Sequence, residues 1–252
     1  MKRFFYLTLF LLLATVLACT QKRELVAVEG GSIKVEAVSR DGGAARVRSI
    51  LGRGRAAVDS IKRPVLGEAA IALEKYIPES PLMNFAADAL HEMAQRHSDI
   101  PVDIAITNKG GLRSNIAAGT VTFGDIYNVF PFENTLAFLT LTGEQLWQLC
   151  SEVASVGGEA ISGMRLVMTE DGKLIEVTVG GKPIDKSGEY RVATSDYLAQ
   201  GNDKMTALAL GAEREVTNIT IRDLMVQYVK ELAAKGEKLE AACDGRITVK
   251  KQ

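Results

Sequence analysis

Three short loops carry the residue types that do chemistry. Asn108-Lys109-Gly110-Gly111-Leu112-Arg113 joins two glycines to a guanidinium. Paired glycines let the main chain turn with its N–H groups open, and a planar guanidinium fork suits a phosphate or a carboxylate. Phe130-Pro131-Phe132-Glu133-Asn134 sets a rigid residue between two rings, which holds a ring at a surface as readily as it packs one into a core. Tyr197-Leu198-Ala199-Gln200-Gly201-Asn202-Asp203-Lys204-Met205 places a carboxylate six residues after a phenol, with a glycine turn between them. Such a turn brings ring and acid to one side of a pocket, where the ring stacks on a flat heterocycle and the acid accepts two hydrogen bonds from a vicinal diol. Each loop alone also has a plainer reading: a turn before a solvated arginine, a core phenylalanine beside a proline, a solvated Gly-Asn-Asp turn.

The elements that must position these loops are legible. Ser80-Pro81 is a helix cap followed by proline at the first helical position. Leu82, Phe85, Ala86, Ala89, Leu90 and Met93 continue at helical spacing, predicting a helix over 81–96. Val102, Ile104 and Ile106 alternate in a strand that runs into Asn108. Thr122 to Phe130 reads as a short helix, and Leu136 to Leu141 as a buried strand. Thr142-Gly143-Glu144-Gln145 is a capping box opening a helix over 143–156. Met164 to Thr169, Leu174 to Val179 and Tyr190 to Ala193 are strand-like, with Asp171-Gly172 and Gly180-Gly181 as turns between them. A helix over 220–235 stops at Gly236, and Arg246 to Val249 forms a last strand. Upstream, Leu25 to Val28 and Ile33 to Val38 flank Gly30-Gly31 as a hairpin, residues 65–76 read as an extended or mixed segment, and the basic stretch from Gly52 to Arg63 fits no element clearly. The fold class is α/β (α+β): a single mixed-sheet domain with layered helices.

Several chemistries lack their residues. Of the two histidines, His91 lies within the first helix and His97 just beyond it, with no acidic partner motif, so both read as structural. No Gly-Asn-His occurs, and no Cys-x-x-Cys or Cys/His cluster suits zinc. Ser162-Gly163 has no Gly-x-Ser-x-Gly context, and Gly110-Gly111 lacks Walker spacing. Cys150 shares an apolar helical face with Leu146, Leu149 and Val153 and reads as a buried free thiol rather than a partner of Cys243.

The N-terminus is expected to be an export signal. Lys2 and Arg3 precede an apolar run to Ala18, and Val16-Leu17-Ala18-Cys19 resembles the lipobox of bacterial lipoproteins. Residues 1–18 are therefore expected to be a signal peptide and Cys19 the lipidation site, anchoring the chain at the bacterial cell envelope, periplasmic or outer surface. Without Lys2 and Arg3, 28 of the 30 basic residues face 31 acidic ones, a net of about −3, which offers no electrostatic grip on a DNA or RNA duplex.

Taken in order, the loops resemble the C-terminal domain of the 5′-nucleotidase family. The resemblance runs through Glu79 to Asn84 and Ala87-Asp88-Ala89 in the opening helix, then Asn108 to Arg113, Gly119 to Thr122 and Pro131 to Asn134. It continues in Thr142 to Leu146, Ser162 to Arg165 and Tyr197 to Lys204, and spans roughly residues 65–249. It implies a nucleotide- or nucleoside-binding domain in which Phe132 and Tyr197 sandwich the base. Asn108, beside Gly110 and Gly111, would contact the base, Arg113 would reach toward phosphate, and Asp203 would take the ribose hydroxyls. Lys109 stands where the family pattern has a glycine, a substitution expected to stiffen the loop; Asn202 and Lys204 likewise replace glycines around Asp203. The basic residue that the family places before the opening helix is not evident, although Lys75 is near.

Full-length members hydrolyse phosphate esters at a two-metal site in a separate domain. No metal-dependent catalytic centre is expected in this chain: residues 19–64 read as a partly stranded extension, and 65–252 as the 5′-nucleotidase C-terminal-like domain. The expected role is nucleotide recognition in nucleotide catabolism, beside a metallophosphoesterase partner chain that carries the divalent metals. The other reading is an envelope lipoprotein that captures nucleosides or nucleotides with no enzymatic role.

Overall fold

The computed structural model describes Gly31 and residues 42–251; the signal peptide, Cys19 and the hairpin expected over 25–38 lie outside the described residues. The chain divides into two units, 1–48 and 49–252, and the second holds every strand described below. The stretch that gave no clear element is helical: α1 spans Gly42–Lys62. Its Ile50, Leu51, Val58 and Ile61 are exposed, so no buried face marks it.

The sheets follow from alternation. A two-stranded sheet pairs β1 (Val65–Ala69) antiparallel with β3 (Gly119–Thr122). The central sheet has five strands in the order β10-β4-β9-β2-β5, built from β2 (Ile104–Thr107), β4 (Thr135–Thr142), β5 (Ala160–Ser162), β9 (Glu189–Ser195) and β10 (Ala212–Thr220). A third sheet, in the order β11-β6-β7-β8, comprises β6 (Met164–Thr169), β7 (Leu174–Val179), β8 (Lys182–Pro183) and β11 (Ile247–Lys250).

Side chains on successive strand residues point to opposite faces. In β4, Leu136 and Phe138 join one core with the helices α2 (Pro81–Gln95) and α6 (Ile221–Ala234), while Ala137, Leu139 and Leu141 join another with α4 (Gly143–Ser155). Ala105 and the Ile104–Ile106 pair of β2 divide the same way. The central sheet is thus covered on both faces, with the second core extending to Leu166, Met168 and Val177 of the third sheet.

Caps behave as their sequences predict. Ser80 accepts from the Met83 N–H at the start of α2, and Thr142 and Gln145 cap α4 reciprocally. A second capping box, Thr122 with Asp125, opens α3 (Phe123–Val129). Cys150 is buried and free, and Cys243 is free and exposed; burial pushes the Cys150 thiol far up from its ordinary value. His91 is tied into the fold: its Nε2 donates to Val102 O across 2.8 Å, and its Nδ1 lies 3.1 Å from the Ser162 hydroxyl.

Candidate functional site

Strand order places three loops at one end of the central sheet. β2 and β9 run parallel, so Asn108 and Tyr197 emerge at the same end. β4 is antiparallel to β9, with Leu136 opposite Ser195, so the chain enters β4 from that end through Phe132 and Asn134. The carboxyl ends of parallel strands are where open α/β sheets place ligands.

The structure brings Asn108, Gly110, Gly111, Arg113, Phe132, Tyr197 and Asp203 around one cavity of about 350 Å³, together with Asn134. That volume lies in the range of small-molecule sites. Phe132 is 48% exposed and Tyr197 37% exposed, so both rings present surface instead of filling the core.

Each group is held by its own loop. Tyr197 sits on α5 (Asp196–Ala199), a single turn capped by Ser195. Its hydroxyl donates to Asp203 Oδ1 across 2.9 Å, which raises the phenol above its ordinary value; slight burial adds to the rise. Asn108 Nδ2 donates to the other oxygen, Asp203 Oδ2. Asp203 and Lys204 occupy the left-handed region, at φ 53° and 66°, after Gly201 at 85°. Non-glycine residues there cost on the order of 1–3 kcal/mol each, a strain typical of ligand loops. Asn202 Nδ2 steadies the turn by donating to Tyr197 O.

Two residues that sequence reasoning missed also shape the site. Arg222, buried at the start of α6, donates to Phe130 O, Pro131 O and Glu133 Oε1, and so fixes the segment that presents Phe132. Its sequence context, between Ile221 and Asp223 in the first turn of a helix, gave no signal of this role. Glu159, buried just before β5, receives the Lys109 N–H on one oxygen and the Lys109 ammonium on the other. Burial raises the Glu159 carboxyl above its ordinary value, against the pull of Lys109.

Arg113 is exposed and spends one N–H on Gly110 O at 3.3 Å; a guanidinium has five. Among the described residues, no group of three or more His, Cys, Asp or Glu side chains is arranged to hold a metal ion. The cavity therefore offers two rings, a carboxylate, two amides and a cation: binding groups for a planar, hydroxylated and anionic molecule.

Comparison with known proteins points the same way. The family model described as 5′-nucleotidase, C-terminal domain, matches residues 57–210. The chain is similar to the trifunctional nucleotide phosphoesterase protein YfkN of Bacillus subtilis, at 30% identity over 75% of this chain and 14% of that protein. It is similar to endonuclease YhcR of the same organism, at 27% identity over 79% of this chain and 16% of that one. Among solved structures, the 5′-nucleotidase precursor of Thermus thermophilus superposes with a TM-score of 0.71 at 26% identity, covering 81% of this chain and 43% of that one. The chain thus spans well under a fifth of the length of those two curated relatives and under half of that structure.

Proposed function

Because this chain belongs to the 5′-nucleotidase C-terminal-domain family, we propose that its cavity recognises a nucleotide or nucleoside. The base lies between Phe132 and Tyr197, with Asn108 as a polar contact. Asp203 accepts the ribose hydroxyls, and Arg113 meets the phosphate from the exposed side. The single observation that carries this reading is the convergence of two half-exposed rings and Asp203 on one cavity. The sandwich removes apolar faces from water on both sides of a base, and the polar groups fix its orientation.

In this reading the chain supplies recognition, and a separate metallophosphoesterase chain supplies the divalent metals that activate water and clamp the phosphate. Lipid on Cys19 would hold it at the cell envelope. The test is phosphate release from AMP with added divalent metals, by the protein alone and with candidate metallophosphoesterase chains. A partner whose rate or affinity rises on adding this protein supports the division of labour; partners that gain nothing overturn it.

One observation favours a second reading, capture without catalysis. Asp203 is already aligned by Tyr197 and Asn108 of the same chain, so no partner is needed to order it. Calorimetry with adenosine and AMP separates the two: tight binding by the isolated protein favours capture, and weak binding that tightens with a partner favours the split enzyme.

A further inference from the structure

Lys109 borders the cavity loop but does not enter the cavity. Its side chain runs back under the loop, where the ammonium donates to Val156 O at 2.9 Å, Gly158 O at 2.7 Å and Glu159 Oε1 at 3.0 Å. An ammonium has three donors, so every one is spent on the protein and none is left for a ligand. The main-chain N–H of Lys109 donates to Glu159 Oε2, so one carboxylate holds both ends of the residue. Glu159 is well buried, its side chain 6% exposed against 25% for that of Lys109. Thr107 pairs with Ala160, which puts Glu159 across from Asn108 at the mouth of the sheet. A second ammonium works on the same loop: Lys75 Nζ donates to Lys109 O and Leu112 O, the two carbonyls that flank the glycine pair.

We propose that the Lys109–Glu159 pair, assisted by Lys75, is a brace that sets the Asn108–Arg113 loop in its binding geometry before ligand arrives. Lys109 and Glu159 are positioning residues: they act through Asn108, whose amide reaches Asp203, and through the glycines that form the cavity wall. A loop with paired glycines has many conformations open to it, and fixing one beforehand removes an ordering cost from binding. This inference rests on the nucleoside-binding reading for its effect on affinity, but the brace itself is a property of the unliganded chain.

The test uses Lys109→Met, which keeps the stem and removes the charge, and Glu159→Gln, which keeps the shape and an acceptor for the Lys109 N–H. Hydrogen exchange of the Gly110, Gly111 and Leu112 amides in the unliganded protein should quicken about tenfold in Lys109→Met, with exchange in α2 and β4 unchanged. Adenosine affinity measured by calorimetry should fall about tenfold, mostly through a slower association. In Glu159→Gln, which lowers the charge without unseating the backbone bond, both changes should be smaller. Unchanged loop exchange in both variants overturns the brace, whatever the ligand does. Quickened exchange with no loss of adenosine affinity overturns its role in binding. Failure of the wild-type protein to bind adenosine or AMP overturns the nucleoside reading instead, while the exchange measurement still decides the brace.

Discussion

Tyr197 Oη and Asp203 Oδ1 lie 2.9 Å apart, so the ring that offers a stacking face also holds the carboxylate beside it. Asn108 takes the other oxygen. Each carboxylate oxygen has a second lone pair, which leaves one acceptor site on each for a vicinal diol. Adenosine should therefore bind more tightly than 2′-deoxyadenosine, by about tenfold, since a hydrogen bond to a charged group contributes about 1.5–3 kcal/mol before solvent exposure is discounted. Asp203→Asn should erase most of that preference. Calorimetry with the two nucleosides measures it, and equal discrimination in both proteins would place the diol elsewhere.

The same contact predicts a titration. Donation to Asp203 is the largest cause that raises the Tyr197 phenol above 10.0, with burial and the Asp203 charge adding to it. A raised folded value means that the group contributes stability below about pH 10 and loses it as pH rises through the folded value. In Asp203→Asn the ionisation of Tyr197 should move back down toward 10. Tyrosine ring-carbon NMR resolves this residue from the other five, and an identical midpoint in both proteins would refute the bond in solution.

Removing a ring should cost the stacking energy, about 1–3 kcal/mol per base, so Phe132→Ala should weaken adenosine binding roughly tenfold or more. Arg222→Ala should weaken it too, because three acceptors of the Phe130–Glu133 segment lose their donor. The two differ in stability. Phe132 is half exposed and its loss should leave the melting temperature within a few degrees, whereas Arg222 is buried and its loss should lower it clearly. Thermal scans beside the binding data separate presentation of the ring from the ring itself.

What the sequence disclosed and what it hid follow from physics. Asn108, Phe132, Tyr197 and Asp203 were legible because turn residues and functional groups sit together within each loop, and the order of the loops is informative. The helices α2, α4 and α6 were legible from their caps and from buried faces at helical spacing. Helix α1 was not, since its apolar residues are exposed and its glycines weaken the pattern. Strand β10 was missed because it lies at a sheet edge and is largely exposed, so polar residues occupy both faces. Glu159 and Arg222 were hidden because a buried charge is recognisable only once its partner, 50 or 89 residues away, is beside it.

Glu159 gives a pH dependence of opposite origin to that of a surface ion pair. Burial, the largest cause, raises its carboxyl above 4.5, so the folded state holds the proton more tightly than the unfolded chain. Its contribution to stability is then fully present below about pH 4.5 and is lost as pH rises through the raised value. Urea midpoints measured from about pH 4 to 7 should show the difference between wild type and Glu159→Gln shifting in favour of the variant as pH rises. A difference independent of pH would mean that the carboxyl titrates normally.

The glycine pair yields the sharpest contrast. A Cβ on Gly111 would sit 2.7 Å from Asn108 Oδ1, closer than real Cβ contacts allow, and 3.3 Å from Asn108 O, a tight contact. Gly111→Ala must therefore push the Asn108 amide aside, and that amide is what reaches Asp203. A Cβ on Gly110 would meet Asn108 Nδ2 at 3.5 Å and Asp203 Oδ2 at 3.6 Å, ordinary contact distances. Adenosine affinity should fall on the order of tenfold in Gly111→Ala, about 1.4 kcal/mol, and clearly less in Gly110→Ala. Both variants should unfold near the wild-type temperature, because the Asn108 amide lies at the cavity and not in either core. Equal losses in the two would mean that the loop senses bulk alone and that the Asn108–Asp203 contact does not organise the site.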